Sequence, residues 1–191
     1  RLSLVGSEMC IRESQHGDGI VNDKDQVIIG RCEPIHTGGF NNNFTYKGLS
    51  LNIFFQWSYG NDVMNANRII FEGNAMGRNI NQFRSYTDRW SPENQDSRNF
   101  RTGGQGPTGY YSSRTIEDGS YLRLKTLQLS YKLPQRWIRH LRISSLEVFV
   151  SGQNLWTWTK YSGLDPEVST RHSALTPGFD YSAYARNRIY T

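Results

Sequence analysis

Between residues 49 and 59 apolar and polar side chains alternate. Leu49, Leu51, Ile53, Phe55, Trp57 and Tyr59 fall on one parity, and Ser50, Asn52, Gln56 and Ser58 on the other, with Phe54 the single exception. A period of two kept over this length predicts a strand with one apolar face. Common strands run to about five or six residues, whereas a tilted strand that crosses a bilayer needs roughly 9–11. Upstream, in 38–46, Phe40, Phe44 and Tyr46 alternate with Asn41, Asn43 and Thr45. Only Lys47 and Gly48 separate the two segments, which predicts a tight hairpin with Gly48 at positive φ.

Two further long strands follow. In 121–133, Leu127, Leu129 and Tyr131 share a parity, but Leu122 and Leu124 lie on the other. That switch marks either a bulge or a segment beyond the apolar zone. In 144–159, Leu146, Val148, Val150, Trp156 and Trp158 form the apolar row and Glu147, Ser151, Gln153 and Thr157 the polar one; Asn154 interrupts the first, Phe149 and Leu155 the second. Between the strands, 60–119 and 161–183 read as long polar loops, with a short helix over 63–71, and 134–142 as a short turn. Short and long connections alternate. In an up-and-down meander this puts the short links at one rim and the long ones at the other, as in outer-membrane barrels. The fold class read from these patterns is all-β, with antiparallel strands of a membrane barrel laid out as an open sheet.

Composition sharpens this. The 191 residues include 5 Trp, 11 Tyr, 9 Phe and 18 Gly, which favours strands and turns. Only 36% are hydrophobic, and no apolar run reaches the ~18 residues of a membrane helix. A membrane barrel is compatible with this, because only alternate residues meet lipid. The formal net charge of +5 gathers only around Lys132, Arg136, Arg139, His140 and Arg142, read as a solvated turn. The strand faces do not interleave aromatics with Lys and Arg as an RNA-binding sheet does, so nucleic acid is not an expected partner. Cys10 and Cys32 lack the spacing of a structural zinc site. The sequence has no GxSxG, HExxH or P-loop, and its histidines are scattered, so no enzyme is expected.

The runs Tyr121-Leu122-Arg123-Leu124-Lys125, Leu129-Ser130-Tyr131-Lys132-Leu133-Pro134 and Val148-Phe149-Val150-Ser151-Gly152-Gln153-Asn154-Leu155-Trp156 through Asp165-Pro166-Glu167 resemble the C-terminal part of SusC/RagA-type TonB-linked outer-membrane proteins. So do the 18–30 stretch, Thr37-Gly38-Gly39-Phe40, and Phe54-Phe55-Gln56-Trp57-Ser58-Tyr59-Gly60, in the family's order. The resemblance covers about 16–191. It implies some five strands of a barrel that has roughly 22 in this class, with a truncated last strand and no plug domain. Residues 1–14 do not fit and resemble a non-native, artefactual segment. The implied activity is import of oligosaccharides or peptides across the outer membrane of Bacteroidota. The implied partners are a SusD-like surface lipoprotein, TonB acting through the N-terminal region, outer-membrane lipid, and a glycan or peptide substrate.

Several residues are candidate sites. Asp18, Ile20, Asn22 and Asp25 match the second half of a calcium loop: Asp18 at its fifth position, Ile20 offering a carbonyl, Asn22 at the ninth and Asp25 last. Ser14 and His16 stand where the first ligands belong and are poor partners for a hard cation, so the same stretch also reads as a polar turn; no other cofactor is expected. Asn52, Gln56, Glu147 and Gln153, on the polar parity, are candidates for lining a substrate path or for bonding a plug or a neighbouring strand. Trp90, Tyr110, Tyr111, Tyr161 and Phe179, in the loops, could stack on sugar rings, pack their loops, or meet a lid protein. A rival reading is a secreted carbohydrate-binding β-sandwich, which would bury Leu49, Leu51, Ile53 and Phe55 under a second sheet.

Overall fold

A computed structural model describes residues 28–72, 79–97, 99, 101, 113–141, 144–168, 170 and 177–191. The chain divides into two compact units. The first comprises 33–61, 118–167 and 184–191; the second comprises 62–117 and 168–183 with the described residues before 33.

The first unit is built on β1 (His36–Tyr46), β2 (Leu49–Tyr59), β5 (Tyr121–Lys132), β6 (Glu147–Thr159) and β8 (Ile189–Tyr190). They form one sheet in the order β1-β2-β5-β6-β8, every pair antiparallel. The predicted hairpin is present. Lys47 and Gly48 take φ of 47° and 87°, the paired positive values of a type I′ turn, whose twist matches that of the flanking strands. Gly48 also sits tightly: a Cβ there would lie 2.8 Å from the Lys132 carbonyl oxygen.

Cross-strand register explains the parity switch in β5. Leu51 and Ile53 face Leu129 and Leu127, but beyond Phe54 the register shifts and Phe55 faces Leu124. Lys125 is the extra residue. It is a bulge, and it returns Leu122 and Leu124 to the side of Leu127, Leu129 and Tyr131. β6 answers with a bulge of its own. Thr126 pairs with Gln153 and Leu124 with Trp156, leaving Asn154 and Leu155 between them. Asn154 adopts φ 53°, a left-handed conformation that Asn tolerates better than most residues. Two of the three exceptions in β6 follow: Asn154 leaves the apolar row, and Leu155, a break in the polar row, packs over Gly152, where a Cβ would be 2.7 Å from a Leu155 methyl carbon.

The β1–β2 turn and the β5–β6 link lie at one end of the sheet. β2, β5 and β6 open at the other end onto 60–120 and 160–188. The β5–β6 link carries a single-turn helix α2 (Gln135–Ile138) and a 3-10 turn at Arg139–Leu141. Ile138 is buried there and Trp137 is exposed.

The second unit carries more structure than the long polar loops with one short helix over 63–71 that the sequence predicts, and the helix is there, over its second half. Residues 62–118 hold β3 (Asp62–Asn65), helix α1 (Asn67–Phe71), a 3-10 turn at Arg84–Asp88 and β4 (Ile116–Asp118); 168–183 holds β7 (Phe179–Asp180). The strands form a sheet in the order β4-β3-β7, with β3 and β7 parallel. A strand therefore occupies 62–65 where the helix was expected to begin. The apolar core is small (Val63, Ala66, Ile70 and Val168 among the described residues), and buried Thr115, Asn65 and Asp180 share the interior. Polar bonds do much of the joining. Glu72 accepts from Arg68 Nε at 2.8 Å, Arg114 at 3.0 Å and Ser85 Oγ at 2.8 Å. Glu117 accepts from Asn65 at 3.2 Å and Arg68 at 3.4 Å.

Candidate functional site

The five-stranded sheet has two chemically opposite faces. On one, register aligns Phe44, Leu51, Leu129 and Val150 in one row, and Phe40, Phe55, Leu124 and Trp156 in another. Phe40, Phe44, Tyr46, Val148, Val150 and Trp156 are each more than half exposed. A contiguous apolar surface of this kind is foreign to a water-facing protein. It is the opposite of the sandwich reading, in which a facing sheet buries these side chains. Tyr46 and Tyr131 mark one end of the band; Trp57, Tyr59, Trp156 and Trp158 mark the other. The 11 residues of β2 extend ~33 Å at ~3.3 Å per residue. A tilt of ~40° reduces that to ~25 Å, the height of the lipid-facing band of a barrel.

Aromatic side chains on β2 cover two glycines of the edge strand, one on each face. Trp57 lies across Gly38 on the apolar face, and Phe54 across Gly39 on the polar one, where a Cβ would be 2.9 Å from the Phe54 ring. This accounts for Phe54, the lone break in the polar row of β2. Trp57 Nε1 donates to His36 Nδ1 at 3.2 Å, and His36 stacks on Tyr59 at 5.2 Å.

The other face carries amides and hydroxyls. Asn52 Nδ2 donates to Asn41 Oδ1 at 3.1 Å and to Asn43 Oδ1 at 2.5 Å, a ladder across the β1–β2 pair. Gln56 stands on this face between Gly39 and Arg123 in register. Glu147 pairs with Lys132 at the short-link end, and Gln153 flanks the β6 bulge; both are exposed. The structure thus distributes these four polar-face candidates along the face and does not gather them.

At the long-connection end of this face lies a cluster that sequence reading does not isolate. Arg123, only 1% exposed, donates Nη2 to Asp165 Oδ1 at 2.5 Å and Nη1 to Glu167 Oε2 at 3.2 Å. Arg186 closes the set, with Nη2 2.8 Å from Glu167 and its backbone N–H donating to Asp165 Oδ2 at 3.1 Å. Two segments that follow β6, at 165–167 and at 186, are thereby tied to one strand residue. Burial opposes ionisation of Asp165. It is outweighed by N–H bonds from Glu167, the Arg123 guanidinium and the Arg186 N–H, so this carboxyl stays below the ordinary Asp range. The Ser120 hydroxyl and N–H, helped by Lys160, hold Asp118 low as well, against a smaller opposing effect of burial.

Of the loop aromatics, Tyr161 is buried in the first unit with its ring against Gly163. In the second unit Trp90 is half-buried and its backbone N–H donates to the Asn99 carbonyl at 3.1 Å, while Phe179 stacks on Tyr181 at 6.5 Å. Tyr110 and Tyr111, and the calcium-loop candidates Asp18, Ile20, Asn22 and Asp25, lie outside the described residues. Among the described residues no group of three His, Cys, Asp or Glu side chains is placed to hold a metal ion.

Long antiparallel strands, an exposed apolar band between aromatic ends and a polar reverse face define a segment of transmembrane β-barrel wall. Relatives of known class agree. No family model matches the chain. Two proteins of Formosa agariphila do: TonB-dependent receptor P3, 34% identical over 180 residues, and TonB-dependent receptor P26, 35% identical over 185. These alignments take in 92% and 93% of this chain but 17% and 18% of those proteins, so the chain spans less than a fifth of the length of these curated relatives. Among solved structures, the RagAB peptide importer in its open-open state superposes with a TM-score of 0.73 at 27% identity, and the RagAB peptide transporter with 0.74 at 26%. Each covers 90% of this chain and 18% of the other. The chain belongs to the SusC/RagA-type TonB-dependent receptors, which are proteins of the outer membrane.

Proposed function

We propose that this chain forms part of the barrel wall of an active importer that carries oligosaccharides or peptides across the outer membrane. Its role is structural and selective, not enzymatic. The apolar band seats the wall in lipid, the amide-rich reverse face borders the route taken by substrate, and the long-connection end faces the exterior. TonB drives transport through a part of the receptor elsewhere in the full-length protein, and a SusD-like lipoprotein closes over the exterior end. One observation carries this reading above the rest: the uncovered apolar band is backed, residue by alternate residue, by hydrogen-bonding side chains. The likeness to a peptide importer supports peptides as one substrate class.

The test is uptake by cells carrying the full-length receptor. Deleting its gene is expected to abolish accumulation of a labelled oligosaccharide or peptide pool, and collapsing the proton-motive force to do the same. Accumulation unchanged by both would contradict active import. Affinity capture of the tagged receptor from outer membranes is expected to bring down a surface lipoprotein, and capture of the receptor alone would remove the lid from the proposal.

A further inference from the structure

At the short-link end the apolar face is not flat. Leu49, Leu129, Leu133, Trp137, Val148 and Val150 line a groove of about 470 Å³, within the range of ligand-sized sites. Leu49, Leu129, Val148 and Val150 belong to the apolar band itself. Trp137 comes from α2, outside the sheet, where its buried neighbour Ile138 anchors the helix and leaves the indole outward.

Basic side chains stand at this end of the sheet, and one of them reaches the groove lining. The Arg136 guanidinium lies 6.0 Å from the centre of the Trp137 ring, and Lys47 Nζ lies 5.1 Å from that of Tyr46, the cross-strand partner of Leu49. Arg139 follows in the same link and is exposed, as are Lys47 and Arg136. Among the described residues none forms an ion pair with Lys47, Arg136 or Arg139; Glu147, the acidic residue at this end, faces Lys132 in register. An apolar trough opening onto the lipid-facing band, with Arg136 over its Trp137 wall and further exposed basic side chains at the same end of the sheet, has the chemistry of an anionic amphiphile reversed.

We propose that this groove is a binding site for one anionic glycerophospholipid of the periplasmic leaflet. Its acyl chain lies along Leu49, Leu129, Val148 and Val150 under the Trp137 indole. Its phosphate meets Arg136, with Lys47 and Arg139 beside it. The site rests on the barrel-wall reading, because the groove is continuous with the face assigned to lipid.

The test reconstitutes the full-length receptor into nanodiscs of phosphatidylethanolamine with a minor share of phosphatidylglycerol, then measures the lipids retained on extraction by native mass spectrometry. The expected result is retention of phosphatidylglycerol above its bulk share. Arg136→Ala with Arg139→Ala is expected to reduce that preference about 25-fold, each basic group near an anionic surface contributing roughly fivefold. Trp137→Ala is expected to lower retention of both lipids, because it opens the groove and leaves the charge. All these side chains except that of Ile138, which stays unchanged, are at the surface, and heat-modifiable migration of each variant checks that its barrel is folded. A folded receptor that retains the two lipids in their bulk ratio overturns the site alone, as does an undiminished preference in the double variant. A receptor that does not enter the bilayer overturns the site and the barrel-wall reading together.

Discussion

Arg123 and Asp165 stand 42 residues apart in the chain and meet at 2.5 Å with both side chains buried. Arg123 sits near the long-connection end of β5; Asp165 belongs to the irregular segment that follows β6. The bond fastens that segment at the long-connection end of the wall. Asp165→Asn leaves a buried guanidinium short of its principal counter-charge, and breaking such a pair costs about 3–5 kcal/mol. Hydrogen exchange on the full-length receptor is expected to quicken across 161–167 while the amides of β2 keep their protection. Unchanged exchange in 161–167 would show that the pair is not what holds the segment.

The same carboxyl gives the segment a pH dependence. The pKa of Asp165 is lower in the folded protein than in an unfolded chain, where it is about 3.9. The stabilisation is therefore fully present above the unfolded value and is lost as pH falls through the folded one. Protection of 161–167 should be flat from neutral pH to about pH 5 and fall only below about pH 4. A midpoint near pH 6 would point to a histidine and away from Asp165.

Backbone conformation at the β6 bulge yields a graded prediction. Asn154 is left-handed, and its Nδ2 donates to the Asn187 carbonyl at 3.1 Å. Asn154→Gly keeps the conformation and loses one bond, a cost of about 1 kcal/mol. Asn154→Val adds a β-branched side chain at positive φ and is expected to cost about 2–3 kcal/mol. Urea unfolding of the reconstituted receptor should rank the proteins wild type, Gly, Val. Equal midpoints for Gly and Val would show that the left-handed geometry is not retained.

The hairpin turn behaves alike for a different reason. Gly48→Ala places a Cβ 2.8 Å from the Lys132 carbonyl at a φ of 87°, so both strain and crowding oppose it. A loss of at least about 1 kcal/mol in the same urea assay is expected. An alanine variant as stable as wild type would mean that this turn relaxes freely.

How much of this was legible beforehand depends on whether the signal was local. The β1–β2 hairpin was fully written in the alternation of 38–59 and in Lys47-Gly48, because side-chain parity and turn chemistry act between neighbours. The β5 parity switch was visible as an anomaly, but choosing the bulge required the register against Ile53 and Phe55. The left-handed state of Asn154 became interpretable only with its partner strand. The Arg123–Asp165–Glu167–Arg186 cluster left no local trace, since its members are ordinary surface residue types brought together by the sheet. Apart from its short helix, the second unit reads as loop because its apolar content is so small. Val63 and Ile70 are few and irregularly spaced, and the joining is done by Glu72 and Glu117 through pairings more than forty residues long. The groove beside Trp137 was likewise hidden: the basic stretch around Arg136 is exposed as expected, but the apolar wall beneath it is assembled from three strands and α2.

The central claim is that alternate residues of these strands meet lipid, and spin labels placed singly along β2 of the full-length receptor in a bilayer address it most directly. Accessibility to oxygen and to a water-soluble nickel complex, read by electron paramagnetic resonance, should alternate along the strand. Labels at 51, 53 and 55 should be reached by oxygen and shielded from nickel, and those at 50, 52 and 56 should be the reverse or buried against protein. Shielding of 51, 53 and 55 from both reagents would place a layer of protein over the apolar band and contradict the account.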